Sequence, residues 1–100
     1  MRIVSGSARG RRLFSPPSST RPTTDRVREA LFNSLDTLLE WDTTTVLDLY
    51  AGSGAVGLEA ASRGAKAVTL VEKNGAAVAS AERNKAVVDV PGAVSYTHLT

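Results

Sequence analysis

The sequence predicts an open α/β sheet built from a strand–helix–strand–helix unit. An apolar run at residues 45–50 is followed directly by a glycine-rich turn at 52–57 and then by small, helix-forming residues. A second apolar run occupies residues 67–72, one helix length further along the chain. Strands that alternate with helices form parallel sheets through right-handed crossovers, so the two runs predict one βαβ unit.

A basic hairpin is predicted ahead of this unit. Residues 2–4 and 12–14 are short strand candidates, and the turn-forming residues 5–10 separate them. Pro16 and Pro17 follow the hairpin. Because each proline restricts its own backbone and that of the residue before it, residues 15–19 are expected to be an extended linker.

A helix is predicted to begin near Thr23 or Thr24, since either hydroxyl can accept a hydrogen bond from the first free N–H groups. Apolar residues then recur at helical spacing and predict a buried face. They are Val27, Leu31, Leu35 and Leu38. Trp41, just beyond this helix, is expected to be a partly buried packing residue.

The strand at 45–50 is apolar except for Asp48, which is typical of a central parallel strand buried on both faces. Gly64 suits the residue that follows a helix end. The remaining elements are predicted at residues 55–63 (helix) and 67–72 (strand), followed by a helix that Asn74 or Gly75 opens and that runs to about Val88. Along the last helix we expect one side to carry Val78, Ala81 and Lys85.

Composition limits the possible functions. The chain has 100 residues, enough for one small domain, and contains no cysteine and one histidine. No disulfide framework and no metal site are therefore predicted. No apolar run approaches the roughly 20 residues that span a bilayer, and the N-terminus has no signal-peptide pattern. A cytoplasmic protein that does not bind membranes is expected.

Positive charge is concentrated at the N-terminus. Residues 1–28 contain seven arginines and one acidic residue, a net charge of +6, whereas residues 29–100 carry a net charge of −4. The planar arginine fork suits phosphate groups and stacks on bases. The segment is either a nucleic-acid contact surface or a solvated basic arm.

The glycine-rich turn predicts a nucleotide-cofactor site. Residues 52–57 match the pattern G-x-G-x-x-G, which by itself suggests NAD. Glu72 lies twenty residues after Gly52, a spacing that suits an acceptor for the ribose hydroxyls of any adenosine cofactor. Gly52 and Gly54 are assigned to close backbone approach to the ligand, and Gly57 to helix–strand packing.

Asp48 favours one cofactor over the other. A carboxylate beside the helix N-terminus would repel the pyrophosphate of NAD, which binds at that point. S-adenosyl-L-methionine has no phosphate, and its ammonium and sulfonium groups are positively charged, so the same carboxylate attracts it. The alternative role for Asp48 is to cap the helix or brace the loop.

The chain resembles a known enzyme family. Residues 48–60 (DLYAGSGAVGLEA) are similar to the first motif of class I methyltransferases. Residues 21–33 (RPTTDRVREALFN) and 2–13 (RIVSGSARGRRL) narrow the resemblance to the bacterial 16S rRNA guanine-N2 methyltransferases. The resemblance covers residues 2–90 and implies a Rossmann-like fold. It also implies transfer of a methyl group from S-adenosylmethionine to the exocyclic N2 of a guanine in 16S rRNA, free or in the small ribosomal subunit, by a monomeric enzyme.

The resemblance also implies site residues. Those expected to contact the cofactor are Thr23, Arg26, Asp48, Tyr50, Ala51, Gly52, Ser53, Gly54, Glu72 and Lys73. Those expected to bind RNA are Arg9, Arg11, Arg12 and Arg21.

The chain departs from this family in one motif. Such enzymes carry an Asp/Asn-Pro-Pro-aromatic sequence after the fourth strand, and none occurs here; residues 89–92 (DVPG) are interpreted as a turn. No catalytic residue is therefore predicted, and the methyl transfer is expected of the full-length protein, with these 100 residues inactive by themselves. The alternatives are an NAD-dependent oxidoreductase and a non-catalytic RNA-binding fragment.

The C-terminal segment is expected to be foreign to the family. Residues 94–100 (VSYTHLT) read as an in-frame translation of the transposon-end adapter used in DNA sequencing libraries. We accordingly divide the chain into a hairpin and linker (1–20), the N-terminal half of a cofactor-binding domain (21–93) and a non-native tail (94–100). The first strand would then have an open apolar edge, which predicts aggregation.

Overall fold

The computed structural model describes residues 1–15, 24–49, 51–90 and 94–98. Within them, one parallel sheet has the strand order β1-β2-β3. The strands are β1 (Thr45–Asp48), β2 (Ala67–Glu72) and β3 (Val94–His98). The helices are α1 (Asp25–Leu38), α2 (Ala55–Ser62) and α3 (Gly75–Val88), with a short 3-10 helix at Trp41–Thr43. The predicted α/β class and its βαβ unit are confirmed.

The helix ends agree with the capping signals in the sequence. Thr24 accepts a hydrogen bond from the N–H of Val27 at 3.1 Å and caps α1. Asn74 accepts from the N–H groups of Ala76 and Ala77 and caps α3. Gly64, with φ +108°, follows the end of α2 in the left-handed conformation that glycine favours.

Helix α2 packs on one face of the sheet. Leu58 of α2 and the β2 residues Val68 and Leu70 are fully buried together. Leu47 of β1 points to the opposite face and is 61% exposed. The prediction that β1 is buried on both faces is therefore wrong for this chain, because the pleat directs alternate residues to opposite faces and α2 covers only one.

The predicted apolar stripe of α1 is also wrong as a buried face, except at Leu35, which is half-buried against the core. Val27, Leu31 and Leu38 are 54%, 45% and 76% exposed, whereas Arg28 and Phe32 are buried. The helix is thus turned by about one residue from the orientation that the apolar spacing predicts.

Polar and aromatic partners explain this orientation. The buried Arg28 guanidinium donates to the backbone carbonyl of Arg2 at 2.7 Å and pairs with Asp25. Phe32 stacks on Trp41 with 5.7 Å between ring centroids, which confirms Trp41 as a packing residue. These contacts hold the neighbouring side of α1, which carries Arg28 and Phe32, against the rest of the chain.

The N-terminal hairpin forms, but with a single antiparallel bridge, Arg2 to Arg12, in place of the two predicted strands. Its apolar residues Ile3 and Leu13 are buried in the core. The hairpin lies on α2, where the N–H of Ser7 donates to the Ser62 carbonyl at 2.8 Å. The hairpin is therefore part of the folded domain.

Residues 94–98 form β3, which pairs with β2 in the register Val68 to Val94. The interpretation of 94–100 as a non-native tail stays a prediction, as does the division of the chain at residues 20 and 93. The linker prediction for 15–19 falls largely outside the described residues. In the described part of the chain, no helix has the length and apolar character needed to cross a membrane.

Candidate functional site

Two acidic residues end neighbouring strands at the same edge of the sheet. Asp48 is the last residue of β1 and Glu72 the last of β2. The parallel register pairs Asp48 with Leu70, two residues before Glu72, so both acidic side chains lie on the same face. Ligands of open α/β sheets bind at this carboxyl edge.

The glycine-rich loop turns directly above this edge. Ala51 donates its N–H to the Val71 carbonyl at 3.0 Å, and Gly54 donates to the Ala51 carbonyl at 2.7 Å, which closes a tight turn. Gly52 and Gly54 have φ values of +55° and +83°, a left-handed conformation that glycine adopts without strain. The predicted strand–turn–helix arrangement is therefore present.

The three glycines have different surroundings. A Cβ at Gly52 would meet no atom within 4 Å, so this backbone borders open space that a ligand can occupy. A Cβ at Gly57 would lie 2.3 Å from a Leu70 methyl, which fits the packing role predicted for Gly57. A Cβ at Gly54 would point towards Leu70 and Leu58, at 3.2 and 3.3 Å, so at this position too the missing side chain serves the core.

Glu72 holds the loop. One of its carboxylate oxygens accepts from the N–H of Gly52 at 2.9 Å, and the other accepts from the N–H groups of Lys73 and Asn74. The spacing in the sequence predicts a ligand role for Glu72 and gives no sign of this structural role.

Asn84 is a residue that the sequence analysis missed. It is fully buried and donates to the carbonyls of Ser53 and Phe14, at 2.8 and 2.9 Å, and accepts from the Phe14 N–H at 2.6 Å. Its burial could have been predicted from its position, because Asn84 follows Ala81 by three residues and precedes Val88 by four, which places all three on one face of the helix. The buried residues of α3 are Ala77, Ser80, Ala81, Asn84 and Val88. Of the predicted side of α3, only Ala81 belongs to this face, because helix α3 turns Asn84 inwards and leaves Lys85 exposed.

Carboxylates cluster around the ends of the strands. Burial, followed by the charges of Glu72, Glu82 and Asp48, raises the pKa of Tyr96 on β3 to about 12. The Tyr96 phenol therefore lies near the carboxylates of Glu72, Glu82 and Asp48. Such a site attracts a cationic ligand and repels an anionic one.

A buried carboxylate fixes the hairpin. Glu59 of α2 is fully buried and accepts from the N–H groups of Val4 and Ser5, at 2.8 and 3.1 Å. Arg63 neutralises it at 3.0 Å from the next turn of the helix. The sequence analysis did not assign this role to Glu59.

The predicted arginines fall into different environments. Arg9 and Arg12 are exposed on the hairpin, and Arg26 is exposed in the first turn of α1. Arg11 donates to the carbonyls of Val87 and Val88 at the end of α3, at 3.1 and 2.6 Å, so it also serves as a structural cap. The remaining predicted site residues, Arg21, Thr23 and Tyr50, lie outside the described residues.

Comparison with known proteins supplies a family. The family model for "Conserved hypothetical protein 95" matches residues 1–98. The chain is 53% identical over 73 residues to the "Ribosomal RNA small subunit methyltransferase D" of Escherichia coli (strain K12), covering 72% of the chain and 36% of that protein. It is 42% identical over 85 residues to the "Putative rRNA methyltransferase YlbH" of Bacillus subtilis, covering 84% of the chain and 45% of that protein.

A comparison with solved structures also finds a methyltransferase-like protein. The structure titled "Putative methyltransferase yhhF from Escherichia coli" superposes with a TM-score of 0.84 and 40% identity, over all of the chain and 52% of that structure's chain. The chain therefore spans about half the length of that protein, and less than half of the curated relatives. The Rossmann-like fold and the resemblance predicted from the motifs are confirmed.

Proposed function

The chain belongs to the conserved hypothetical protein 95 family, and on that premise we propose that it is an S-adenosylmethionine-dependent methyltransferase acting on ribosomal RNA. The names of the relatives in Escherichia coli and Bacillus subtilis support methylation of rRNA. The finer proposal is that the methyl acceptor is the exocyclic N2 of a guanine in 16S rRNA, free or within the small ribosomal subunit. We propose that the protein acts as a cytoplasmic monomer.

The observation that carries this proposal is the pair of carboxylates beside the glycine loop. Asp48 and Glu72 end adjacent strands, and both contribute to the raised pKa of Tyr96. NAD would bring a doubly charged pyrophosphate to the start of α2, close to these two carboxylates. S-adenosylmethionine brings an ammonium and a sulfonium group, so it is the adenosine cofactor that fits the site.

Each part of the site then has a role. S-adenosylmethionine supplies a methyl group activated by its attachment to a sulfonium. Asp48 attracts the methionine ammonium, while Glu72, at the end of β2, accepts from the ribose hydroxyls. The open space beside Gly52 admits the ligand next to the backbone. Ala51, Ser53, Gly54 and Lys73 complete the proposed contacts in the described residues, with Arg26 and, outside them, Thr23 and Tyr50.

The arginine-rich hairpin is the proposed RNA contact. Arg9 and Arg12 are exposed on it, and Arg11 and Arg21 are the further candidates. Each phosphate that they neutralise releases counterions, so binding weakens steeply as salt rises. The guanine must leave its stack to reach the sulfonium. The Pro-Pro-aromatic sequence that holds the guanine amine in this family does not occur in these 100 residues.

Calorimetric titration of the full chain tests the cofactor. We expect binding of S-adenosylmethionine and no binding of NAD. Asp48→Asn should weaken the methyl donor at least tenfold, because the neutral amide no longer attracts the ammonium. Asp42→Asn, an exposed acid in the 3-10 helix, is the matched control and should have no effect.

Methyl transfer is tested in a chimera in which this chain replaces the corresponding segment of the Escherichia coli relative. We expect incorporation of labelled methyl groups into small ribosomal subunits or 16S rRNA. Binding of NAD in place of the methyl donor would instead indicate the oxidoreductase. RNA binding that no cofactor influences would indicate a non-catalytic RNA-binding protein.

A further inference from the structure

An exposed aromatic residue and an arginine form a stacked pair on the surface. The guanidinium carbon of Arg83, on α3, lies 3.9 Å from the ring centroid of Phe14. Phe14 is 42% exposed, and Arg83 is also exposed. None of the roles assigned above uses this pair. A planar cation over an aromatic ring offers the two kinds of surface on which unpaired bases stack.

The pair is held rigidly beside the glycine loop. Both the N–H and the carbonyl of Phe14 bond to the buried Asn84 side chain, which also bonds to the Ser53 carbonyl. A single side chain thus connects the backbone under the stacked pair to the loop at the candidate cofactor site. Arg83 directly precedes Asn84 in α3, so both members of the pair are fixed through the same residue.

A phosphate-binding group lies on the same side of the chain. Leu13 is buried, whereas Arg12 and Phe14 on either side of it are exposed. In an extended segment, residues two apart point to the same side. Arg12 and Phe14 are therefore exposed on the same side of this segment.

We propose that Phe14 and Arg83 stack an unpaired RNA base and that Arg12 contacts the phosphate of the same or the adjoining nucleotide. We call this group the stacking surface (Arg12, Phe14 and Arg83). This inference rests on the proposed function and deepens it. An enzyme that takes a base out of its stack also contacts the nucleotides that flank it, and these contacts set sequence context. The occupant of the stacking surface is such a flanking nucleotide.

The test measures binding of the full chain to a fluorescently labelled single-stranded RNA by anisotropy, at several salt concentrations. Phe14→Ala should weaken binding about tenfold, since stacking on one aromatic residue has an effect of this order. Phe14→Trp should retain or increase affinity. Arg83→Lys, which keeps the charge and loses the planar face, should weaken binding less than Phe14→Ala does.

The salt dependence separates stacking from charge. Phe14→Ala should leave the slope of log K against log salt unchanged, whereas Arg12→Ala should reduce its magnitude by about 0.7, the value for one phosphate on a single strand. Lys66→Ala removes an exposed cation at the opposite edge of the sheet, just before β2, and serves as the control. A purely structural role for Phe14 does not predict this pattern.

Each outcome decides the proposal. Weaker RNA binding by Phe14→Ala at unchanged salt slope, unchanged thermal unfolding and unchanged S-adenosylmethionine affinity supports it. Equal RNA affinity of Phe14→Ala and the wild type overturns the stacking surface and leaves the proposed function standing. A wild-type chain that binds the methyl donor and no RNA overturns both the stacking surface and the proposed RNA substrate.

Discussion

Asn84 of α3 donates its side-chain amide to the carbonyl of Ser53, 2.8 Å away in the glycine loop. The amide group is fully buried, and its other hydrogen bonds join the same point to the backbone of Phe14. Three consecutive loop residues thus have hydrogen-bond partners outside the loop. Strand β2 holds Ala51 and Gly52, and helix α3 holds Ser53. The backbone that borders the candidate cofactor site is fixed before any ligand arrives.

Replacing Asn84 by aspartate should weaken S-adenosylmethionine binding at least tenfold at pH 7. The change is nearly isosteric, but it removes both donated hydrogen bonds and places a carboxylate against two carbonyl oxygens. Affinity relative to the wild type at the same pH should recover as pH falls, because a protonated aspartate can donate once more. Calorimetry between pH 7 and pH 5 measures this. Asn33→Asp makes the same change at an exposed position of α1 and should leave affinity unaltered.

Asp25 should make folding stability depend on pH. Burial opposes its ionisation, but hydrogen bonds from the Arg2 N–H and the Arg28 guanidinium, together with positive charge, outweigh burial and lower the pKa of Asp25 below 3.8. A lowered folded-state pKa stabilises the fold above the unfolded pKa, about 3.9, and this contribution is lost as pH falls through the folded value.

The corresponding variant is Asp25→Asn. It should lower the free energy of unfolding at pH 7 by about 2 kcal/mol, less than for a fully buried pair because the Asp25 side chain is 38% exposed. Urea unfolding at pH 7 and pH 3 should show the difference shrinking at the lower pH. A loss of stability that is the same at both pH values contradicts the assignment.

Two glycines of the hairpin form a matched pair of substitutions. Gly6 and Gly10 have φ values of +89° and +85°, so alanine is strained to a similar extent at both. A Cβ at Gly6 would also lie 2.0 Å from the Ser62 carbonyl oxygen, whereas one at Gly10 meets nothing within 4 Å. Gly10→Ala should lower the free energy of unfolding by about 1 kcal/mol, and Gly6→Ala should lower it by clearly more. Urea midpoints measure the difference, and limited proteolysis should show the hairpin released only in Gly6→Ala.

Leu47 should promote self-association of the chain. It lies 61% exposed on β1, which is an edge strand of the described sheet. Exposed apolar edge strands pair with other chains. Leu47→Thr should therefore reduce concentration-dependent light scattering, while Leu38→Thr, at a more exposed position on α1, should change it little. An equal reduction of light scattering by Leu47→Thr and Leu38→Thr would indicate that general surface hydrophobicity, and not the edge strand, causes the self-association.

Much of the fold follows from local sequence signals. The strand–loop–helix around Gly52, the caps Thr24 and Asn74 and the helix stop at Gly64 all lie where the residues predict them. These features depend on hydrogen bonds between neighbours in the chain and on glycine backbone freedom, both of which a short stretch of sequence determines.

The position of the site is also readable from the sequence. Asp48 and Glu72 each end an apolar run, and parallel strands bring their carboxyl ends to one edge. The roles of Glu59 and Asn84 could not be read in this way. Glu59 bonds to Ser5, 54 residues away along the chain, and Asn84 bonds to Phe14, 70 residues away. The apolar spacing of α1 is also misleading, because it predicts a buried stripe that the structure leaves largely exposed.

The sequence by itself determined the parallel α/β architecture, the glycine loop and the acidic strand ends, because these depend on local geometry and on periodicity. Only the tertiary structure decided which side of α1 is buried, which polar side chains hold the loop and the hairpin, and that Phe14 and Arg83 meet. Buried polar groups must find partners wherever the fold supplies them, and pairings across the chain have no periodicity by which a sequence reveals them.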